Sequence, residues 1–63
     1  MFVELQDDAG HVRAFRADTI DEVQPWSPDA DHPNSHAVLL RGGYPVAYVR
    51  ATVDQARAVL NGA

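Results

Sequence analysis

The sequence predicts an α+β domain: one antiparallel sheet of four to five strands, made of two hairpins, with a short C-terminal helix packed on it. Three observations carry this expectation. Asp7-Asp8-Ala9-Gly10 reverses the chain between two β-prone stretches, with Asp suited to the turn start and Gly to a positive φ at its end. Gly42-Gly43 separates two further strand-like segments, and a two-residue hairpin turn selects glycine because both positions need positive φ. Thr52-Val53-Asp54-Gln55 then has the form of a capping box, ahead of an apolar stripe at helical spacing.

The elements follow in chain order. In Met1–Gln6, Val3 and Leu5 share one face while Phe2 and Glu4 share the other. His11–Arg16 alternates again, with Val12 and Ala14 opposite His11, Arg13 and Phe15. Phe2 and Phe15 are thereby expected on the face away from Val3 and Leu5, where a partner or a second copy would cover them. Ala17-Asp18-Thr19 forms a corner. Ile20 to Val23 reads as a short bulged strand, because Pro25 stops the segment before a helix grows. Residues 25–36, rich in Pro, Asp and His, read as a loop of 12 residues, long for so small a domain.

Ala37–Arg41 is a short apolar strand. Tyr44–Arg50 answers it, and Pro45, lacking an N–H, places that strand at a sheet edge. Val53, Ala56, Val59 and Leu60 make the apolar stripe of the final helix, which Asn61-Gly62 ends after about two turns. A helix so short is not stable alone, so it must lie on the sheet.

The pattern Ile20-Asp21-Glu22-Val23, Val38-Leu39-Leu40-Arg41-Gly42-Gly43, Val46 to Val49, Thr52-Val53-Asp54-Gln55 and Leu60 resembles that of FlbD-type small flagellar proteins. The resemblance spans roughly residues 10–60 and implies the same strands, hairpin and capped helix, with an adaptor or regulator working through its sheet edge or helix. The chain differs in having the long Trp26-bearing loop where that family has a short Pro-Asp turn, and it lacks the family's basic surface residues.

Composition narrows the function. The 63 residues are 46% apolar, but ten of the apolar residues are alanine, so the core is thin and a walled catalytic cleft is not expected. Cysteine is absent, which removes disulfides, thiolate metal sites and a cysteine nucleophile. Neither Ser27 nor Ser35 sits on a strand-to-helix elbow. In the loop, Asp29, Asp31, His32 and His36 are metal-ligand types, but Pro33 between the histidines breaks the helical spacing one ion would use. No enzyme activity, metal or other cofactor is expected.

The net charge is −4, and all five cations are arginine. Residues 1–31 carry eight acids and two arginines, while residues 32–63 carry one acid and three arginines. Tyr44, Tyr48 and Arg50 on one strand face have the residue types that stack bases, but net acidity opposes phosphate, so nucleic acid is disfavoured as a partner. No apolar run approaches a membrane span, and an acid at Glu4 comes too soon for a signal peptide. A soluble cytoplasmic protein is the expectation.

Trp26, set between Pro25 and Pro28, has the composition of an interface anchor. Asp18, Asp21, Glu22, Asp29 and Asp31 surround it in sequence. Together these six residues suggest a surface that meets a basic protein partner. In size, acidity and lack of an active site the chain resembles small phage inhibitors of the anti-CRISPR class, which implies occlusion of a basic surface on a host protein. A homodimer through Phe2 and Phe15 is a further expectation.

Overall fold

The structure, a computed structural model, describes residues 1–62. Its elements are β1 (Phe2–Gln6), β2 (Val12–Arg16), a 3₁₀ turn (Ala17–Thr19), β3 (Glu22–Trp26), β4 (His36–Arg41), β5 (Tyr44–Val49) and α1 (Val53–Asn61). The α+β class and the antiparallel pairing are as the sequence predicts. The single sheet is not: β1 and β2 form a two-stranded sheet, and β3-β4-β5 form a three-stranded one.

The two sheets meet at one point. β1 gives way to its turn at Asp7, so only its end reaches β5, through an isolated Asp7–Val49 bridge. There the Asp8 N–H donates to the Tyr48 carbonyl (2.9 Å), and the Arg50 N–H donates to the Gln6 carbonyl (2.8 Å).

Local rules account for the turns and the cap. Gly42 and Gly43 have φ of 57° and 83°, the pair of left-handed residues that matches the twist of a tight hairpin. Thr52 Oγ1 accepts from the Gln55 N–H (3.1 Å) and Gln55 Oε1 accepts from the Thr52 N–H (2.9 Å), completing the capping box. In β5 one extra residue, Val46, bulges between the Leu39–Ala47 and Leu40–Pro45 pairs.

The core lies between the first hairpin, the inner face of the three-stranded sheet and α1. Val3, Leu5 and Phe15 come from the hairpin, Ala37, Leu39, Ala47 and Val49 from the larger sheet, and Ala56 from the helix. Alanines at fully buried positions (Ala37 and Ala56, both 0% exposed) let the helix approach closely in place of bulky side chains.

Two sequence expectations are corrected. Phe15 does not join Phe2 on an outer face; it is buried in the core, while Phe2 is exposed. The reason is register: Phe15 stands directly opposite Val3, and Phe2 opposite Arg16, and residues directly opposite share a face. Nor does Pro25 end its segment. β3 runs through it to Trp26, with Pro25 paired to Ala37, so the connecting loop shrinks to residues 27–35. β3 is an edge strand, where a missing N–H can face the free side at no cost to the ladder.

Candidate functional site

Alternation along the three-stranded sheet gives it a second face, turned away from the core. Glu22, Gln24 and Trp26 of β3 lie opposite Leu40, Val38 and His36 of β4, and Val38 in turn lies opposite Tyr48 of β5. Val38 and Leu40 are each only 7% exposed, yet they do not belong to the main core cluster. Their own neighbours on the outer face shield them. Trp26 reaches across β4 to Tyr48, with ring centroids 4.5 Å apart and planes tilted by 47°. Its indole also meets the His36 imidazole edge-on at 5.7 Å.

Trp26 is therefore half-buried, neither free in a loop nor sealed in the core. Tyr48 remains exposed beside it, and Val46 is exposed farther along β5. A carboxylate stands at each end of this aromatic patch. Glu22 lies four residues along β3 from Trp26, about 13 Å at strand rise, and accepts from the Gln24 amide. Asp8 lies at the other end, its Oδ1 3.6 Å from His36 Nε2. His36 is further held through Nδ1 by Ser35 Oγ at 2.7 Å.

The structure sorts the five carboxylates that the sequence grouped with Trp26. Only Glu22 shares its face. Asp21 accepts the Gly42 N–H at 2.9 Å, tying the start of β3 to the β4–β5 turn. Asp18 pairs with Arg16 at 3.2 Å, both well exposed. Asp29 organises the loop, accepting from His32 Nδ1 (3.0 Å) and the Asp31 N–H (2.9 Å). Those bonds, the His32 one foremost, hold its carboxyl below the usual range. Asp31 is exposed. Of the two phenylalanines, only Phe2 stands outward, with Met1 and Val12 also exposed on the same hairpin.

Sequence reasoning did not assemble Asp8, His36 and Tyr48 with Trp26. The one available signal is that Tyr48 and Trp26 flank the same apolar strand, which becomes visible only once Trp26 is assigned to β3.

A concavity of about 540 Å³ runs between β3 and α1. Ile20, Val23 and Leu60 give it an apolar floor, with Asp21, Glu22 and Arg57 at its rim. The edges at β3 and β2 resist strand addition, β3 through Pro25 and β2 through Arg13 and Arg16, which would face like charges in a self-paired copy.

Among the described residues no group of three or more His, Asp or Glu is placed to hold a metal ion. No helix is long and apolar enough to cross a membrane. No family model, curated protein or solved structure matches the chain.

Proposed function

We propose that the chain is a non-enzymatic binding protein that docks its outer sheet face on a basic surface of a protein partner in the cytoplasm. The observation that carries this reading is the Trp26–Tyr48 pair, 4.5 Å apart and half open to solvent, with Glu22 and Asp8 at its two ends. Large aromatics on a preformed surface supply contact area at small entropic cost, and flanking carboxylates choose cationic neighbours. The excess of acid in residues 1–31 steers the same encounter. The biological role we favour is that of a phage or mobile-element inhibitor, similar to the anti-CRISPR class, which blocks a host protein by covering its basic groove.

The test is affinity capture from host lysate with the wild-type chain and with the triple reversal Asp18→Lys, Glu22→Lys and Asp31→Lys. Asp21 and Asp29 are left intact because they hold backbone N–H groups. A partner identified with the wild type should be lost with the reversal while the circular dichroism spectrum is unchanged. Equal affinity of both forms for that partner would end the electrostatic reading.

The β3–α1 groove favours a second reading, an adaptor of the FlbD kind working through its sheet edge or helix. Leu60→Asp would then abolish binding, and the double reversal Asp18→Lys with Asp31→Lys, both outside the groove, would spare it.

A further inference from the structure

We propose that Trp26, Tyr48 and Asp8 form an arginine-reading site, where a guanidinium from the partner's basic surface stacks on the aromatic pair and is bonded by the Asp8 carboxylate. This rests on the docking reading above and names the chemistry that it recognises.

The parts are linked in a closed ring of contacts. The Asp8 N–H is bonded to the Tyr48 carbonyl at 2.9 Å, and the Asp8 carboxylate lies 3.6 Å from His36 Nε2. The His36 ring meets Trp26 at 5.7 Å, and Trp26 meets Tyr48 at 4.5 Å. Carboxylate and aromatic rings are thus held together by backbone ladder and ring packing before any guest arrives. The Asp8 side chain is 49% exposed, and Tyr48 is 39% exposed, so both remain reachable.

Arg50 is the resident cation beside this cluster. Its Nε donates to the Asp8 carbonyl at 3.2 Å, and its guanidinium packs over Gly10, where an added Cβ would lie 3.2 Å from Nη1. It therefore braces the turn that presents Asp8. Among the described residues the Asp8 carboxylate pairs with His36 and with no arginine, which leaves it acceptor capacity for a guest.

An arginine suits the site better than a lysine. Its planar guanidinium stacks on a ring face and still offers a fork of N–H donors in the same plane, whereas an ammonium offers a strongly hydrated point charge. A nucleobase would stack equally well, but Asp8, Glu22 and the net charge of −4 repel the phosphates that come with it.

Trp26 is the only tryptophan, so its fluorescence reports on the site directly. Octa-arginine, octa-lysine and a single-stranded oligothymidylate are titrated at low salt into the full chain, into Asp8→Asn and into Tyr48→Leu. Octa-arginine should bind about fivefold or more tightly than octa-lysine, and Asp8→Asn and Tyr48→Leu should each shrink that ratio, one by removing the carboxylate and the other by removing a stacking ring. In case Tyr48→Leu loosens the fold, amide and indole shifts of the wild type give a second readout. Octa-arginine should move the Trp26 indole and Tyr48 signals most.

Equal binding of both peptides, or shifts centred elsewhere, overturns the arginine site. If that equal binding is lost in Glu22→Lys with Asp31→Lys, docking on a basic surface stands without it. If neither peptide binds, both readings fall, and tighter binding of the oligonucleotide would replace them with a base-stacking role.

Discussion

The two faces of the three-stranded sheet bury their apolar residues by different means. On the inner face, Leu39 and Val49 are fully enclosed by the first hairpin and α1. On the outer face, Val38 and Leu40 reach nearly the same burial among neighbours of their own sheet: the Trp26–Tyr48 pair lies across β4 at the Val38 end, and Leu40 sits between Glu22 and Pro45. The inner face shows how a chain with many alanines closes a core, using a second layer of structure. The outer face closes with side chains of the sheet itself, the Trp26–Tyr48 pair at one end and the neighbours of Leu40 at the other. A face sealed by side chains alone stays open to a partner, which is why the candidate site lies there.

The comparison is broken most severely from the inside. Leu39→Ala should cost about 3 kcal/mol, the transfer loss plus a cavity that rigid neighbours cannot fill. Domains of this size hold only about 3–5 kcal/mol in all. A urea titration followed by circular dichroism should therefore find this variant largely unfolded at low denaturant. A midpoint near that of the wild type would mean that the inner face is not the main core.

The same substitution type on the outer face should do less. Trp26 is half-buried, so Trp26→Ala should cost about 1–2 kcal/mol and leave a folded protein. In the wild type, acrylamide should quench the indole to an intermediate degree, above a sealed tryptophan and below a free one. A loss exceeding that of Leu39→Ala would reverse the ranking of the two faces.

How much of this was legible depends on how far apart the deciding residues lie. The Gly42-Gly43 hairpin and the Thr52–Gln55 box each follow from one local rule, positive φ in one case and reciprocal capping in the other, and both appear as expected. Phe15 faces inward, which alternation along β2 alone does not decide, because its face depends on which residue of β1 it opposes, and turn length sets that register across the hairpin. Pro25 looked like a terminator because the cost of its missing N–H vanishes at a free edge, and edge position is a property of the whole sheet. The site was half visible for the same reason. Trp26 and Glu22 are neighbours along the chain, but their shared face depends on β3 running through Pro25 to Trp26. Asp8 reaches them only through the Asp7–Val49 bridge, a contact between residues far apart in the chain. The acids near Trp26 in sequence were a poor guide, since Asp21 and Asp29 are occupied by backbone N–H groups.

A smaller effect sharpens the role of the helix as cover for the inner face. Thr52→Ala removes the acceptor for the Gln55 N–H and one half of the box, which should cost about 1 kcal/mol. Because α1 packs on the inner side, the loss should appear as a lower thermal midpoint with Trp26 emission in the folded state unchanged. An emission shift at temperatures where the protein is still folded would mean that the helix also supports the outer face.

The smallest effect concerns the turns at the rim of the outer face, and acid should reveal it. Asp7 accepts the His11 N–H at 2.9 Å, and that backbone bond is the main reason its carboxyl is held below the ordinary range. Asp29 is lowered likewise by His32 and then by the Asp31 N–H. A carboxyl whose folded pKa is depressed binds its proton more readily in the unfolded chain. Its contribution is therefore complete above the unfolded value, about 3.9, and is lost as pH falls through the lower folded value. Asp7→Asn, which mimics the protonated acid, should lower the thermal midpoint slightly at pH 7 and converge with the wild type once the pH has fallen below the depressed folded value. The two carboxyls sit in the turns that flank Asp8 and His36, so in the wild type the Trp26 signal should respond to acid before the far-ultraviolet signal of the sheet does. A simultaneous change in both signals would mean that the outer rim and the inner core unfold as one unit, and the two faces would differ in packing but not in cooperativity.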